Sequence, residues 1–67
     1  MELIDKNGKS ISKGDTVNVP SPTEEDNWNH EFTGHVEAFD EDYVVVMDGD
    51  GDCFSVEPER LEIDNFD

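Results

Sequence analysis

The run Tyr43-Val44-Val45-Val46-Met47-Asp48-Gly49-Asp50-Gly51-Asp52-Cys53-Phe54-Ser55-Val56 decides how this chain folds. Two short apolar segments flank three aspartates on alternate positions, with glycines between them. One reading is a calcium loop. An EF-hand loop takes oxygen ligands at positions 1, 3 and 5, glycine at 6 and a bidentate glutamate at 12. Asp48, Asp50 and Asp52 fill the first three places, and Glu59 falls on the last. Position 6 is Cys53, which lacks glycine's backbone freedom, and Pro58 resists the helix that should follow. The other reading is a β-hairpin. The β-branched run Val44-Val45-Val46 favours strand, and a hairpin tip explains both glycines and both apolar runs. The hairpin is the main reading, and calcium on Asp48, Asp50, Asp52 and Glu59 is the minor one.

Two registers fit this hairpin. A two-residue Asp50-Gly51 turn pairs Met47 with Phe54 and Val45 with Val56. A three-residue loop over Gly49–Gly51 pairs Val46 with Phe54 and Val44 with Val56. The one-residue difference reverses which side chains share a face. The second register sets Asp48 opposite Asp52, an unfavourable like-charge pair that a bulge would relieve.

Working outward, Phe32 to Phe39 predicts a strand, with Gly34 marking a bend or close packing. Asp40-Glu41-Asp42 predicts a turn. Thr16-Val17-Asn18-Val19 alternates as a strand does, and Pro20 stops it. Asn7-Gly8 suits a type I′ turn between short strand ends, and Lys13-Gly14-Asp15 is another turn. Residues 20–31 hold one large apolar side chain, Trp28, and predict a polar loop with at most one helical turn. Pro58-Glu59-Arg60 predicts a short turn and Leu61-Glu62-Ile63 a last brief strand. Five or six short strands joined by tight turns indicate a small all-β domain.

At 67 residues the chain is one domain. A chain of this size buries only about 60% of its unfolded surface, which leaves little room for a catalytic cleft. The net charge is −15. From Gly14 onward 17 acids face a single base, Arg60. Phosphate backbones need cations, so nucleic acid and anionic membrane surfaces are excluded as partners. The expected partner is a basic protein or a cationic side chain. One cysteine precludes an intrachain disulfide, and no apolar run resembles a signal peptide or a membrane span. The expectation is a cytoplasmic protein, a monomer or weak homodimer, with no cofactor. His30, His35 and Cys53 are too scattered for a zinc site. Cys53 follows three aspartates, which disfavour its thiolate. The chain is expected not to be an enzyme.

Gly14-Asp15-Thr16-Val17, Phe32-Thr33-Gly34-His35-Val36, the run from Tyr43 to Gly51, and Pro58 to Leu61 together resemble a Tudor-type SH3-like barrel. The likeness covers residues 14–63, leaving 1–13 as an N-terminal hairpin and 64–67 as a frayed tail. It implies a small SH3-like barrel of five or six short antiparallel strands. Tudor domains hold methylated lysine or arginine in an aromatic cage through cation–π attraction. The resemblance places cage walls at Trp28 and Phe32, and at Met47 and Asp50, where this chain departs from the family's aromatic residues. The expected function is a non-catalytic acidic binding module with a face of Trp28, Phe32, Tyr43, Met47 and Asp50. The alternatives are a nucleic-acid-mimicking decoy that occupies a basic groove, and calcium binding at residues 48–52.

Overall fold

A computed structural model of the chain describes residues 2–64. It is an all-β structure with one five-stranded antiparallel sheet. The strands are β1 (Thr16–Val19), β2 (Phe32–Asp40), β3 (Tyr43–Met47), β4 (Cys53–Val56) and β5 (Glu62–Ile63). A 3-10 turn, Pro58–Arg60, joins β4 to β5. The order across the sheet is β4-β3-β2-β1-β5, so β4 and β5 are its edges. No helix among the described residues is long and apolar enough to cross a membrane. The expected frayed tail falls mostly on 65–67, outside the described residues. Asp64 is tied in, its N–H donating to Thr16 O at 2.9 Å.

Alternation sets the core. Val17 and Val19 of β1, Val36 of β2, Val44 and Val46 of β3 and Val56 of β4 are buried on one face. Ile11, Trp28 and Leu61 close over them from outside the strands. The opposite face carries Thr16 and Asn18, Thr33 and His35, Val45 and Met47, and Cys53 and Ser55, none of them fully buried. Between Val36 and Ala38 the β2–β3 register shifts, leaving Glu37 as an extra residue. This bulge, which adds local twist, has no signal in the sequence.

Gly34 fixes how closely β2 approaches β3. A Cβ there would lie 2.4 Å from the Met47 carbonyl oxygen and 2.9 Å from Val46 Cγ1. The strand needs a residue without a side chain at that point because the space is already filled by backbone.

The hairpin takes the second of its two registers: Val44 pairs with Val56, Val46 with Phe54 and Met47 with Cys53. This puts Val44, Val46 and Val56 on the buried face together. At the tip, Gly51 N–H donates to Asp48 O at 3.3 Å and Asp48 N–H to Asp52 O at 2.9 Å. Gly51 has φ of 88°. The loop is therefore a type I turn followed by a glycine bulge, and left-handed Gly51 is the residue that permits it.

The N-terminal segment repeats the same device. Gly8 N–H donates to Asp5 O at 3.1 Å, Asp5 N–H donates to Lys9 O at 2.8 Å, and Gly8 has φ of 84°. Asn7 does not have positive φ, so the type I′ turn expected there does not form. The hairpin forms with a three-residue loop instead, and its arms are joined by the bridge Ile4↔Ser10 and by Ile11 N–H donating to Leu3 O at 2.9 Å.

Candidate functional site

The aspartate run is resolved by its hydrogen bonds. Asp48 Oδ1 accepts from the N–H groups of Asp50 and Asp52, both at 2.9 Å. Asp5 Oδ1 does the same for Asn7 at 2.9 Å and Lys9 at 2.8 Å. Asp-x-x-Gly-x is thus written twice in the chain, and each aspartate caps its own turn (an Asx arrangement). Bound by two backbone donors, the Asp48 carboxylate sits beside Asp52 with part of its charge compensated. Extended β4 runs between the tip and Glu59, a span of about 13 Å for four residues, so Glu59 does not fold back over the loop as the position-12 glutamate of a calcium loop does. Among the described residues no three His, Cys, Asp or Glu side chains gather to hold a metal ion.

Five residues were expected to share one binding face, and the sheet separates them. Trp28 is buried, 5% exposed. Its Nε1–H donates to Pro20 O at 2.8 Å, and its ring meets Phe54 edge-on with centroids 6.3 Å apart. Phe32 pairs with Val19, lies on the core-side face and packs on Phe54 at 5.7 Å. Tyr43 and Met47 occupy the outer face of β3 with Val45 between them. Tyr43 is exposed and stands beside the β2–β3 turn, about 13 Å along the strand from Met47. Asp50 is exposed at the hairpin tip.

The face of Trp28 already has a cation. The Arg60 guanidinium lies 5.3 Å from its ring centroid. Asp26 holds Arg60 through two hydrogen bonds, from Nη1 at 3.0 Å and Nη2 at 2.9 Å, and Glu57 accepts a third from Nη1 at 3.1 Å. Asp26 is itself placed by a tight turn, where Thr23 N–H donates to Asp26 Oδ2 at 2.7 Å and Asp26 N–H to Thr23 O at 3.2 Å. The forked bond from Arg60 pulls the Asp26 carboxyl well below the usual carboxylate range, and the same bond pushes the Arg60 guanidinium upward. This assembly pins the 20–31 loop onto the 3-10 turn. The one sequence signal for it was Arg60 itself, the lone cation among 17 acids.

An open groove of about 470 Å³ lies on the outer face. Thr16, Thr33, His35, Met47 and Asp48 line it, with Gly34 and the tip glycines at its floor and rim. Thr16, His35, Met47 and Cys53 form one row across four strands, since each is the register partner of the next. His35 Nε2–H donates to Glu37 Oε2 at 2.8 Å, which turns the imidazole toward the bulge. Cys53 is exposed.

No protein-family model matches this chain, and no curated protein matches it.

Proposed function

We propose that the chain is a non-catalytic acidic binding module that recognises a basic protein segment through the outer-face groove at Met47 and the acidic hairpin tip beside it. The observation that carries this reading is how little of the negative charge is neutralised internally. Among the described residues, ion pairs engage only Asp26 and Glu57, through Arg60, and Glu37, through His35. Arg60, the one cation after Lys13, is consumed by the Trp28 assembly, and among the described residues the tip carboxylates form no ion pair. Such a field draws in cationic partners and makes their association salt-sensitive.

The strand order β4-β3-β2-β1-β5 and the 3-10 turn before β5 support the resemblance to Tudor-type SH3-like barrels. An aromatic cage for a methylated side chain is not part of the proposal, because Arg60 covers the Trp28 ring and Phe32 packs into Phe54. Met47 offers an apolar floor for the stem of a lysine or arginine, while Asp48 and Asp50 stand where the charged head would lie.

The test is titration calorimetry with a lysine- and arginine-rich peptide at low salt. Binding is expected to weaken in Met47→Ala and Asp50→Asn, and to fall steeply as salt rises toward about 0.1 M, where the Debye length is about 10 Å. Affinity that ignores salt, or that both substitutions leave intact, overturns the proposal.

A further inference from the structure

Among the described residues nothing pairs with the free side of β4, and its chemistry says what would pair with it. In the β3–β4 ladder, Asp48↔Asp52 is a hydrogen-bonded pair, with Asp48 N–H donating to Asp52 O at 2.9 Å. Antiparallel pairs alternate. The next hydrogen-bonded pairs are therefore Val46↔Phe54 and Val44↔Val56. Phe54 and Val56 turn their backbone groups toward β3, and Cys53 and Ser55 turn theirs outward. Among the described residues no hydrogen bond from outside the sheet reaches the backbone of Cys53 or Ser55.

Natural sheets blunt such edges with lysine, proline, a bulge or a very short strand. The other edge follows the rule, since β5 is two residues long and its Ile63 N–H is capped by Asp5 Oδ2 at 2.9 Å. Along Cys53-Phe54-Ser55-Val56 there is no charge, no proline and no bulge. Protection comes from the ends. Asp50 and Asp52 stand before β4 and Glu57 and Glu59 after it. Two copies of a chain with a net charge of −15 repel each other at such an edge. A cationic strand is attracted to it.

We infer that β4 receives an extended, cationic segment of a partner protein as an added sixth strand, with the outward N–H and C=O groups of Cys53 and Ser55 forming the new ladder. This rests on the proposed function and specifies its binding mode. Main-chain bonds provide the affinity and the flanking carboxylates provide the preference for basic sequence. The Met47 groove lies one strand away on the outer face, within reach of an outward side chain of the added strand.

The test uses the whole chain and a synthetic heptapeptide of alternating lysine and threonine, at low salt. A second peptide of the same sequence carries N-methyl groups on alternate residues and cannot form a ladder on that side. Ser55→Pro removes one outward donor and no β3–β4 bond, so an edge strand tolerates it. The unmodified peptide is expected to bind, and N-methylation and Ser55→Pro each to weaken it at least tenfold. Amide hydrogen exchange at Cys53 and Ser55 is expected to slow on binding, while Phe54 and Val56 are protected with or without peptide. Equal binding of the N-methylated peptide, or unchanged exchange at Cys53 and Ser55 in the saturated complex, overturns the edge and leaves the cationic-partner proposal standing. Dimerisation of the chain through β4, seen as concentration-dependent protection of the same two amides, overturns the cationic occupant. Failure of every cationic peptide to bind removes both proposals. If Ser55→Pro unfolds the chain, the N-methyl and exchange arms still decide.

Discussion

Arg60 lies over the indole of Trp28, 5.3 Å from the ring centroid, and so joins the acidic 20–31 loop to the turn that precedes β5. The guanidinium does three things at once: it stacks on an aromatic face, forks onto Asp26 and reaches Glu57. A lysine ammonium cannot fork or stack in this way. Arg60→Lys is therefore expected to lower the thermal midpoint nearly as much as Arg60→Met, and to shift the tryptophan emission as the loop loosens. Trp28→Ala removes the indole that packs on Phe54 and closes over the valine core, at a cost of about 3–5 kcal/mol. A domain this small has little more than that to lose. Circular dichroism at room temperature is expected to show Trp28→Ala largely unfolded and Arg60→Lys folded but less stable.

Asp5 and Asp48 cap two turns of the same kind, which makes them a matched pair for asking what burial adds. Asp5 is 4% exposed and serves three backbone donors, those of Asn7 and Lys9 within its turn and that of Ile63 in β5. Asp5→Ala leaves these donors without a partner where water enters poorly, at about 1–3 kcal/mol. Asp5→Asn is expected to do little better, because its amide points a donor at a donor. Asp48 serves two N–H groups at an exposed tip, where water replaces the carboxylate, and Asp48→Ala is expected to cost less than about 1 kcal/mol. Urea denaturation of the variants side by side checks the order.

Acid should find the same residues. Burial raises the Asp5 carboxyl, but the three backbone N–H groups from Ile63, Lys9 and Asn7 outweigh it, and its affinity for protons is lowered overall. Asp26 is lowered by Arg60 first and by Thr23 second. A carboxyl whose folded pKa lies below its unfolded value, about 4, adds stability that is complete above that value. The stability is lost as pH falls toward the folded pKa, because the unfolded chain then binds more protons. Their contribution to the unfolding free energy is thus expected to drop as pH goes from about 4.5 to about 2.5. The drop should be shallower in Asp5→Ala, which no longer carries one of the two groups. An equal slope in the two proteins would contradict this account of Asp5.

The strands were legible because their cause is local. Val17 and Val19, and Val44 and Val46, alternate in sequence as they do in the sheet, and turn residues bracket each run. The hairpin register was not legible. Both candidate pairings put apolar side chains together, and what separates them is the Asp48 carboxylate bonding to two N–H groups and Gly51 turning left-handed. The same holds at Asn7-Gly8, where the dipeptide suggested a two-residue turn but Asp5, two positions earlier, captured the backbone. Glu37 gives no sign of being a bulge because its selection depends on fitting β2 to β3. The expected binding face failed to gather for a plainer reason. Aromatic character predicts burial as readily as ligand contact, and Trp28 and Phe32 found their partner in Phe54, 26 and 22 positions downstream.

The net charge makes a separate claim on stability. With −15 on the chain and three lysines that form no ion pair among the described residues, the folded state concentrates like charge that the unfolded chain spreads out. Added salt is therefore expected to raise the thermal midpoint as the Debye length contracts from about 30 Å at 0.01 M to about 8 Å at 0.15 M. The Arg60 pairs oppose the trend weakly, since their side chain is mostly sheltered. A midpoint that falls with sodium chloride would show that local ion pairs, not self-repulsion, dominate.

Gly34 and Gly51 are both required, for different reasons that substitution separates. At Gly34 the obstacle is space: a Cβ would lie 2.4 Å from the Met47 carbonyl oxygen, which belongs to the β3 backbone and cannot swing away. Gly34→Ala must push β2 from β3 where Val46 packs, at a cost of at least about 1–3 kcal/mol, and Gly34→Asn fares worse. At Gly51 nothing lies within 4 Å of an added Cβ, and the obstacle is the left-handed backbone at φ 88°. Gly51→Ala is expected to cost about 1–2 kcal/mol. Gly51→Asn should recover much of that, since asparagine enters the left-handed region more readily. The prediction is a crossover. Asparagine rescues position 51 relative to alanine and worsens position 34, read as thermal midpoints of the four variants. Rescue at both sites would mean that Gly34 is kept for its conformation and not for the contact between β2 and β3.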